Sequence, residues 1–391
     1  MRKRIDNYLN IRRLRAKYRR ANPKKKTKLL NEACDLTGIH RKSLIRMLNR
    51  NPKRKKKRRG LKPKYQHDEI REVLKIIWLA SDQMCSKKLR VAIPEWLPHY
   101  ELEHGALPEF LRLQLLSVSS ATIDRILKKL KVKHKKFCGT KPGRILKNQI
   151  PIRLHHWDDN EPGFLEADTV AHCGNSMAGD FVWSITFTDI HTTWTENRAT
   201  WGKGAGWVVK RVKELEKVLP FIIKGFDCDN GSEFLNYHLI NYFAAKPKEQ
   251  MVQFTRSRPY HKNDNAHVEQ KNWTHVRQLL GYDRFDTRIL VNLVNDLYEN
   301  EWRLYQNHFI PTMKCVKKEK INSKYRKKFD APKTPYKRVL ECKEIDKIAK
   351  EKLRQEHKQL NPFELKRRIE KKLRKIFKYV KVVPSRKNGK N

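Results

Sequence analysis

Between residues 161 and 310 the apolar pattern changes period in a fixed order, and that order constrains the fold more than any other feature. Phe164 to Ala171, Phe181 to Ile190 and Thr193 to Thr200 read as three successive strands with turn residues between them. Val208, Val209, Val212, Leu215 and Leu219 then repeat at helical spacing. Phe221 to Asp229 reads as a buried strand, Ser232 to Ala245 as a helix and Val252 to Thr255 as a short strand. Helices are expected at Asn265 to Leu280 and Leu290 to Tyr305. The β-β-β-α-β-α-β-α order predicts an α/β core, a mixed five-stranded sheet with helices on both faces.

Both flanks of this segment are basic. The 391 residues carry 89 Lys and Arg against 42 Asp and Glu, a net charge of +47. Residues 1–150 hold 42 basic and 12 acidic residues, 151–310 hold 18 and 21, and 311–391 hold 29 and 9. A near-neutral middle between two basic arms fits polyanion binding at the ends and chemistry at the centre, with nucleic acid the expected partner. No apolar run reaches the ~18–20 residues of a membrane-spanning helix. The start, Met1-Arg2-Lys3-Arg4-Ile5-Asp6, has no apolar stretch behind its charges and does not read as a secretory signal. Seven cysteines without a C-x-x-C pair point to a reducing compartment and away from a zinc ribbon.

The amino-terminal arm reads as a helix-turn-helix from Thr27 to Asn49. Leu29, Leu30, Ala33 and Cys34 form one apolar face, Gly38 supplies the turn, and Leu44, Ile45 and Leu48 face inward on the second helix. Its outward side presents Arg41, Lys42, Ser43 and Arg46, residue types suited to the major groove. Lys53 to Arg59 is a basic linker. Helical pattern resumes from Asp68 to Lys136, with Ile70, Val73, Leu74, Ile77 and Trp78 as one stripe, and a helix capped at Ser119 carries a basic face. The tail reads as basic helices, Ile345 to Leu360 and Pro362 to Phe377. Four regions are therefore expected: 1–60 and 61–150 as helical DNA-binding segments, 151–310 as the catalytic core, and 311–391 as a basic helical region.

Five acids stand where the core could do chemistry. Asp168 lies inside the first apolar strand, where a lone carboxylate is costly without a partner or metal, and Glu166 shares its face. Asp229 ends the fourth strand before Asn230-Gly231, with Asp227 two residues earlier on the same face. Glu269 opens a helix after a polar loop. Carboxylates gathered from separate elements make an oxygen cage for hard cations. Spacing alone does not choose Asp168 over Glu166 or Asp229 over Asp227. Arg277, at i+8 from Glu269, could hold a phosphate beside that cage. Two lookalikes fail: Gly202-Lys203-Gly204-Ala205-Gly206-Trp207 puts Trp207 where a dinucleotide loop needs glycine, and no G-x-S-x-G elbow occurs.

The middle region resembles the integrase core of bacterial insertion-sequence transposases, relatives of retroviral integrases. The resemblance rests on Glu161-Pro162-Gly163-Phe164, Asp168-Thr169-Val170-Ala171-His172-Cys173-Gly174, Thr188-Asp189-Ile190, Asp229-Asn230-Gly231-Ser232-Glu233-Phe234 and the long block from Arg256 to Asn272. It extends more weakly to Phe329-Asp330-Ala331-Pro332-Lys333-Thr334-Pro335-Tyr336. It implies a ribonuclease H-like fold and a D-D-E triad of Asp168, Asp229 and Glu269. It implies two Mg2+ ions on that triad, with Mn2+ as a substitute, and Lys262, Lys271 and Arg277 as DNA contacts. The implied reaction cuts an element end to free a 3′-OH and joins that hydroxyl to target DNA. The implied partner is double-stranded DNA, as terminal repeats and target, bound by a homo-oligomer in the bacterial cytoplasm at the nucleoid, without a membrane. A nuclease that cuts without joining, and a catalytically silent DNA-binding derivative, are the alternatives.

Overall fold

A computed structural model describes residues 14–49, 65, 67–133, 161–202, 204–228, 237–256, 266–321 and 324–380. The chain divides into two compact units, Met1–Lys64 and Tyr65–Asn391. In the first, residues 14–20 are helical, followed by α1 (Pro23–Thr37) and α2 (Arg41–Asn49). Asn22 caps α1 through its side chain, accepting from Lys25 N at 2.9 Å, and Pro23 follows at the first helical turn. Gly38 ends the helix at φ +63°, the left-handed conformation glycine adopts freely. Tyr18, Leu30, Ala33, Leu44 and Leu48 close a small core between these helices.

The second unit is built on a mixed five-stranded sheet. Its strands are β1 (Phe164–Ala171), β2 (Val182–Asp189), β3 (Thr195–Trp201), β4 (Gly225–Cys228) and β5 (Gln253–Arg256), in the spatial order β3-β2-β1-β4-β5. The β1–β2 and β2–β3 pairs are antiparallel; β1–β4 and β4–β5 are parallel. A helix, Ala205–Glu216, connects β3 to β4, and another, Tyr237–Ala244, connects β4 to β5. One sheet face is apolar: Leu165, Ala167, Ile185, Phe187, Phe226 and Cys228 pack against Val208, Val212, Leu215, Leu239 and Phe243 of those helices. β4 begins only at Gly225. Before it, Lys224 N and Gly225 N both donate to Gly163 O, at 2.8 and 3.1 Å. Gly163 permits this approach, since at φ +109° a β-carbon would stand 2.4 Å from Ile222 O.

The other sheet face is polar and buried. Asn197 Nδ2 donates to Thr186 Oγ1 at 2.9 Å, and Thr188 and Thr195 hydroxyls meet at 3.3 Å. His172 Nε2, Ser184 Oγ and Tyr298 OH form a chain with steps of 2.7 and 2.9 Å. Two long helices touch this face, Ala266 to Leu280 and Ile289 to Phe309, each with a π-helical segment, Asn272–Arg277 and Leu297–Trp302. Asn295 and Asn307 bracket β3 through its backbone, at 2.7–2.9 Å to Ala199 and 2.9–3.0 Å to Thr195.

The helices before and after the sheet join one core. Ile70, Val73, Leu74, Ile77 and Trp78 of Asp68–Ala80 are all buried, on the stripe the spacing predicts. They pack with Trp96, Leu97, Ile123 and Leu127, with Leu290, Tyr298 and Phe309 beyond the sheet, and with Phe363, Ile369 and Ile376 of the helix Pro362–Lys378. Trp96 sits at the junction, its ring 5.2 Å from Phe363 and 6.3 Å from both Tyr305 and Phe309. The helical segment set apart by composition at 61–150 thus shares its core with the region beyond it. A second difference lies in the basic region after residue 310. It holds helices at Pro335–Glu341, Lys347–Lys358 and Pro362–Lys378, but before them stands an antiparallel ribbon, β6 (Cys315–Ile321) and β7 (Lys324–Phe329).

Candidate active site

Asp168 lies in the middle of β1, the central strand, half-buried on the polar face and opposite Thr186. Its Oδ2 accepts from Asn272 Nδ2 at 2.6 Å and its Oδ1 from Thr169 N at 2.7 Å. Asn272 begins the π-helical turn of the helix that carries Glu269 three residues earlier, on the same face. Glu269 is exposed. A π turn adds a residue to the helical repeat and re-aims the side chains beyond it, a device frequent at functional sites. In sequence, Asp229 follows Cys228, which ends β4 opposite Ala167. Asp229 itself and Lys262 lie outside the described residues, as does the linker 53–59.

Three contacts lay this helix along β1. Glu166 Oε2 accepts from Val268 N at 2.9 Å, a carboxylate at a helix's first turn, where free N–H groups and the dipole favour negative charge. Asn272 holds Asp168. Arg277 Nη2 donates to Ala171 O at 2.9 Å, and its guanidinium lies 4.7 Å from the Tyr282 ring centre. Glu166, buried, therefore docks the helix. Asp227 receives the Thr255 hydroxyl at 2.8 Å, tying β4 to β5. Arg277 is half-buried among these contacts, and burial lowers its pKa.

Lys271 turns inward. It is 7% exposed, and its Nζ donates to Thr193 O at 3.4 Å in the turn between β2 and β3. Burial, with Lys88 and Arg338 nearby, brings its amine down to about 7. Val268, Lys271 and His275, at i, i+3 and i+7, form the buried stripe of this helix, so Lys271 lies inward and not on the DNA-facing side expected of it. Deeper still, burial brings His172 down to about 3, and it stacks on Phe285 with ring centres 4.8 Å apart. Asp189, whose pKa burial raises, accepts from Gly163 N at 2.8 Å and from Thr192 N and Oγ1 at 2.6 Å. These groups brace the strands around Asp168 and lie away from solvent. Sequence reasoning passed over Asn272, although an amide three residues after a helix-opening Glu must share its side.

The oxygen donors of Asp168 and Glu269 suit a hard cation, and the amide oxygen of Asn272 is buried beside them without a hydrogen-bond partner. Among the described residues no group of three His, Cys, Asp or Glu side chains converges as a metal site. In the first unit Arg41, Lys42, Ser43 and Arg46 are all exposed on α2, while Leu44 and Leu48 face the core and Ile45 is half-buried. Arg41 Nη1 donates to Asn31 Oδ1 on α1, fixing one of these cations between the two helices. Among the described residues no helix is long and apolar enough to cross a membrane.

No family model matches the sequence. The chain is 36% identical over 324 residues to the uncharacterized protein y4rM of Sinorhizobium fredii (strain NBRC 101917 / NGR234), an alignment that covers 82% of this chain and 91% of that one.

Proposed function

The chain belongs to the family of the Sinorhizobium fredii protein y4rM, and for it we propose the activity of a DNA transposase of the D-D-E type with a ribonuclease H-like core. The observation that carries the reading is the 2.6 Å bond from Asn272 to Asp168, which sets the helix bearing Glu269 against the one carboxylate in the middle of the central strand. The β-β-β-α-β-α-β-α order around a mixed five-stranded sheet supports the fold, and Asp168, Asp229 and Glu269 are the proposed triad. The rivals have other duties: Glu166 caps the helix and Asp227 holds Thr255.

Mg2+ or Mn2+ held by the three carboxylates would polarise the phosphodiester and lower the pKa of the attacking water or 3′-OH. Asp168 contributes a carboxylate whose direction is fixed by Asn272 and by Thr169 N, so little reorganisation is needed as charge develops. Glu269 is exposed on the helix that Asn272 docks on β1, and it is proposed to complete the cage from that side. Arg41, Lys42, Ser43 and Arg46 are the proposed readers of the terminal repeat, with α2 as recognition helix. Arg277 acts chiefly as a brace and Lys271 lies inside, so neither is assigned a phosphate here. The proposed setting is the bacterial cytoplasm at the nucleoid, with two ends joined by a multimer on DNA.

The test is Mg2+-dependent cleavage and joining of an oligonucleotide bearing the flanking inverted repeat, comparing wild type with D168N, D229N and E269Q. Wild type is expected to give joined product and each variant to lose it by a thousandfold or more. Variants that join as well as wild type overturn the triad. Cleavage without joining transfers the reading to a nuclease, and binding without either to a silent DNA-binding protein.

A further inference from the structure

The ribbon β6–β7 carries a dense charge of almost one sign. From Cys315 to Phe329 it carries seven Lys and Arg and one acid, Glu319. The register sets Lys317 opposite Lys328 and Lys318 opposite Lys327, one like-charged pair on each face of the ribbon, against a single opposite-charge pair, Glu319 with Arg326. Like charges directly opposite destabilise an antiparallel pair, and a two-stranded sheet has little stability in reserve. Arg326, Lys327 and Lys328 are exposed. Such a pattern fits an element whose charge is neutralised by a polyanion.

The root of the ribbon is firmly built. Lys314 N donates to Asp330 Oδ1 at 2.7 Å and Asp330 N to Lys314 O at 3.0 Å. Asp330 Oδ2 pairs with Arg338 Nη2 at 2.7 Å. Thr312 exchanges backbone bonds with Lys333, and its hydroxyl meets that of Thr193 at 2.7 Å, in the turn between β2 and β3. The ribbon is thereby tied, through Thr312 and Thr193, to the sheet that carries Asp168.

We propose that β6–β7 is a duplex-DNA contact separate from α2, holding phosphates by charge without reading sequence; the proposal rests on the DNA-joining reading given above. A two-stranded ribbon is narrow enough for the major groove, which is about 12 Å wide. Lys317, Arg326 and Lys328 lie at register positions on one face, Lys318, Lys320 and Lys327 on the other. A groove presents phosphates on both sides of such a ribbon, whereas an anionic membrane meets one face and requires an apolar one beneath it.

The experiment is fluorescence anisotropy of the full chain with a labelled duplex across a KCl series, for wild type and for R326Q/K327Q/K328Q. The variant is expected to bind any duplex at least tenfold more weakly at moderate salt. Its log–log salt slope should fall by about two to three, near 0.9 for each phosphate no longer neutralised. Preference for the terminal repeat over a scrambled duplex, and the unfolding temperature, should stay as in wild type. If the triple variant unfolds, K327Q/K328Q is read instead, with a slope change of about two. A variant that keeps the wild-type slope overturns the proposal while leaving the enzyme reading intact. Loss of binding to phosphatidylserine vesicles with duplex binding unchanged also overturns it. Wild type that binds no duplex at any salt overturns the DNA-joining reading, and this one with it.

Discussion

Asn272 touches Asp168 through its amide nitrogen and leaves its own oxygen buried beside the same carboxylate. The amide supplies both the donor to Asp168 and an acceptor left for a cation or water, which an alanine lacks. N272A should therefore reduce joining by about 10–100-fold, the usual cost of removing a group that orients a metal ligand. Half-saturation should move to higher Mg2+, with the unfolding temperature lowered by only a few degrees, the cost of one hydrogen bond to a carboxylate in a large unit. A Mg2+ titration of joining rate, with direct calorimetry of Mg2+ binding, reads both; an unaltered half-saturation would reduce Asn272 to packing. The neighbouring Lys271 invites the opposite change. Its amine, lowered from 10.5 to about 7, is less protonated folded than unfolded between those values, so stability rises with pH across that window. The penalty is full at pH 7 and below. K271M should stabilise the protein by a few kcal/mol, at most about 1.4 for each pH unit that separates the folded from the unfolded amine, with the gain fading toward pH 10.5. Urea unfolding at about pH 7 and about pH 10 measures it, and a gain equal at both would show the cause is not the amine's charge. Asp168 and Glu269 were visible as candidates because their surroundings are apolar or loop-like. Lys271's direction was not, because it depends on which helical side Glu166 and Asn272 draw onto β1.

At the scale of elements, legibility followed the contrast between faces. β1 carries Leu165 and Ala167 toward one helical layer and Glu166 and Asp168 toward the other, and its expected bounds match those observed. The strand expected from Phe221 is regular only from Gly225, because Gly163 O draws in the backbone of Lys224 and Gly225 and turns the preceding residues out of the ladder. The ribbon after residue 310 escaped sequence reading for a different reason. Lys317-Lys318-Glu319-Lys320 and Arg326-Lys327-Lys328 are polar on both faces, so no period of two appears in hydropathy. Its signal was charge without an apolar stripe, which a basic helix of the tail would not lack: Pro362–Lys378 buries Phe363, Leu365, Ile369 and Ile376. The π-helical turns escaped too, since a single residue of extra helical repeat leaves the apolar spacing almost unchanged.

For the molecule as a whole, charge and packing divide the chain differently. Composition separates 61–150 from 151–310, but Trp96, Tyr298, Phe309 and Phe363 close one core across both and into the tail. The boundary that packing draws is at Lys64. The unit before it has a core of Tyr18, Leu30, Ala33, Leu44 and Leu48, and domains of ~60 residues are marginal because they bury so small a fraction of their surface. Calorimetry of the full chain should therefore resolve two transitions, the lower belonging to the amino-terminal unit. A chain lacking residues 1–64 should keep only the upper one. If α2 reads the terminal repeat, a duplex carrying that repeat at about 100 times its Kd stabilises this unit by about 2.7 kcal/mol. That should raise the lower transition by roughly 10 °C or more for so small a domain, while a scrambled duplex at equal concentration moves it less. The ribbon and the triad belong to the larger unit, so a duplex that shifts only the upper transition would place DNA recognition there and remove it from Arg41, Lys42, Ser43 and Arg46.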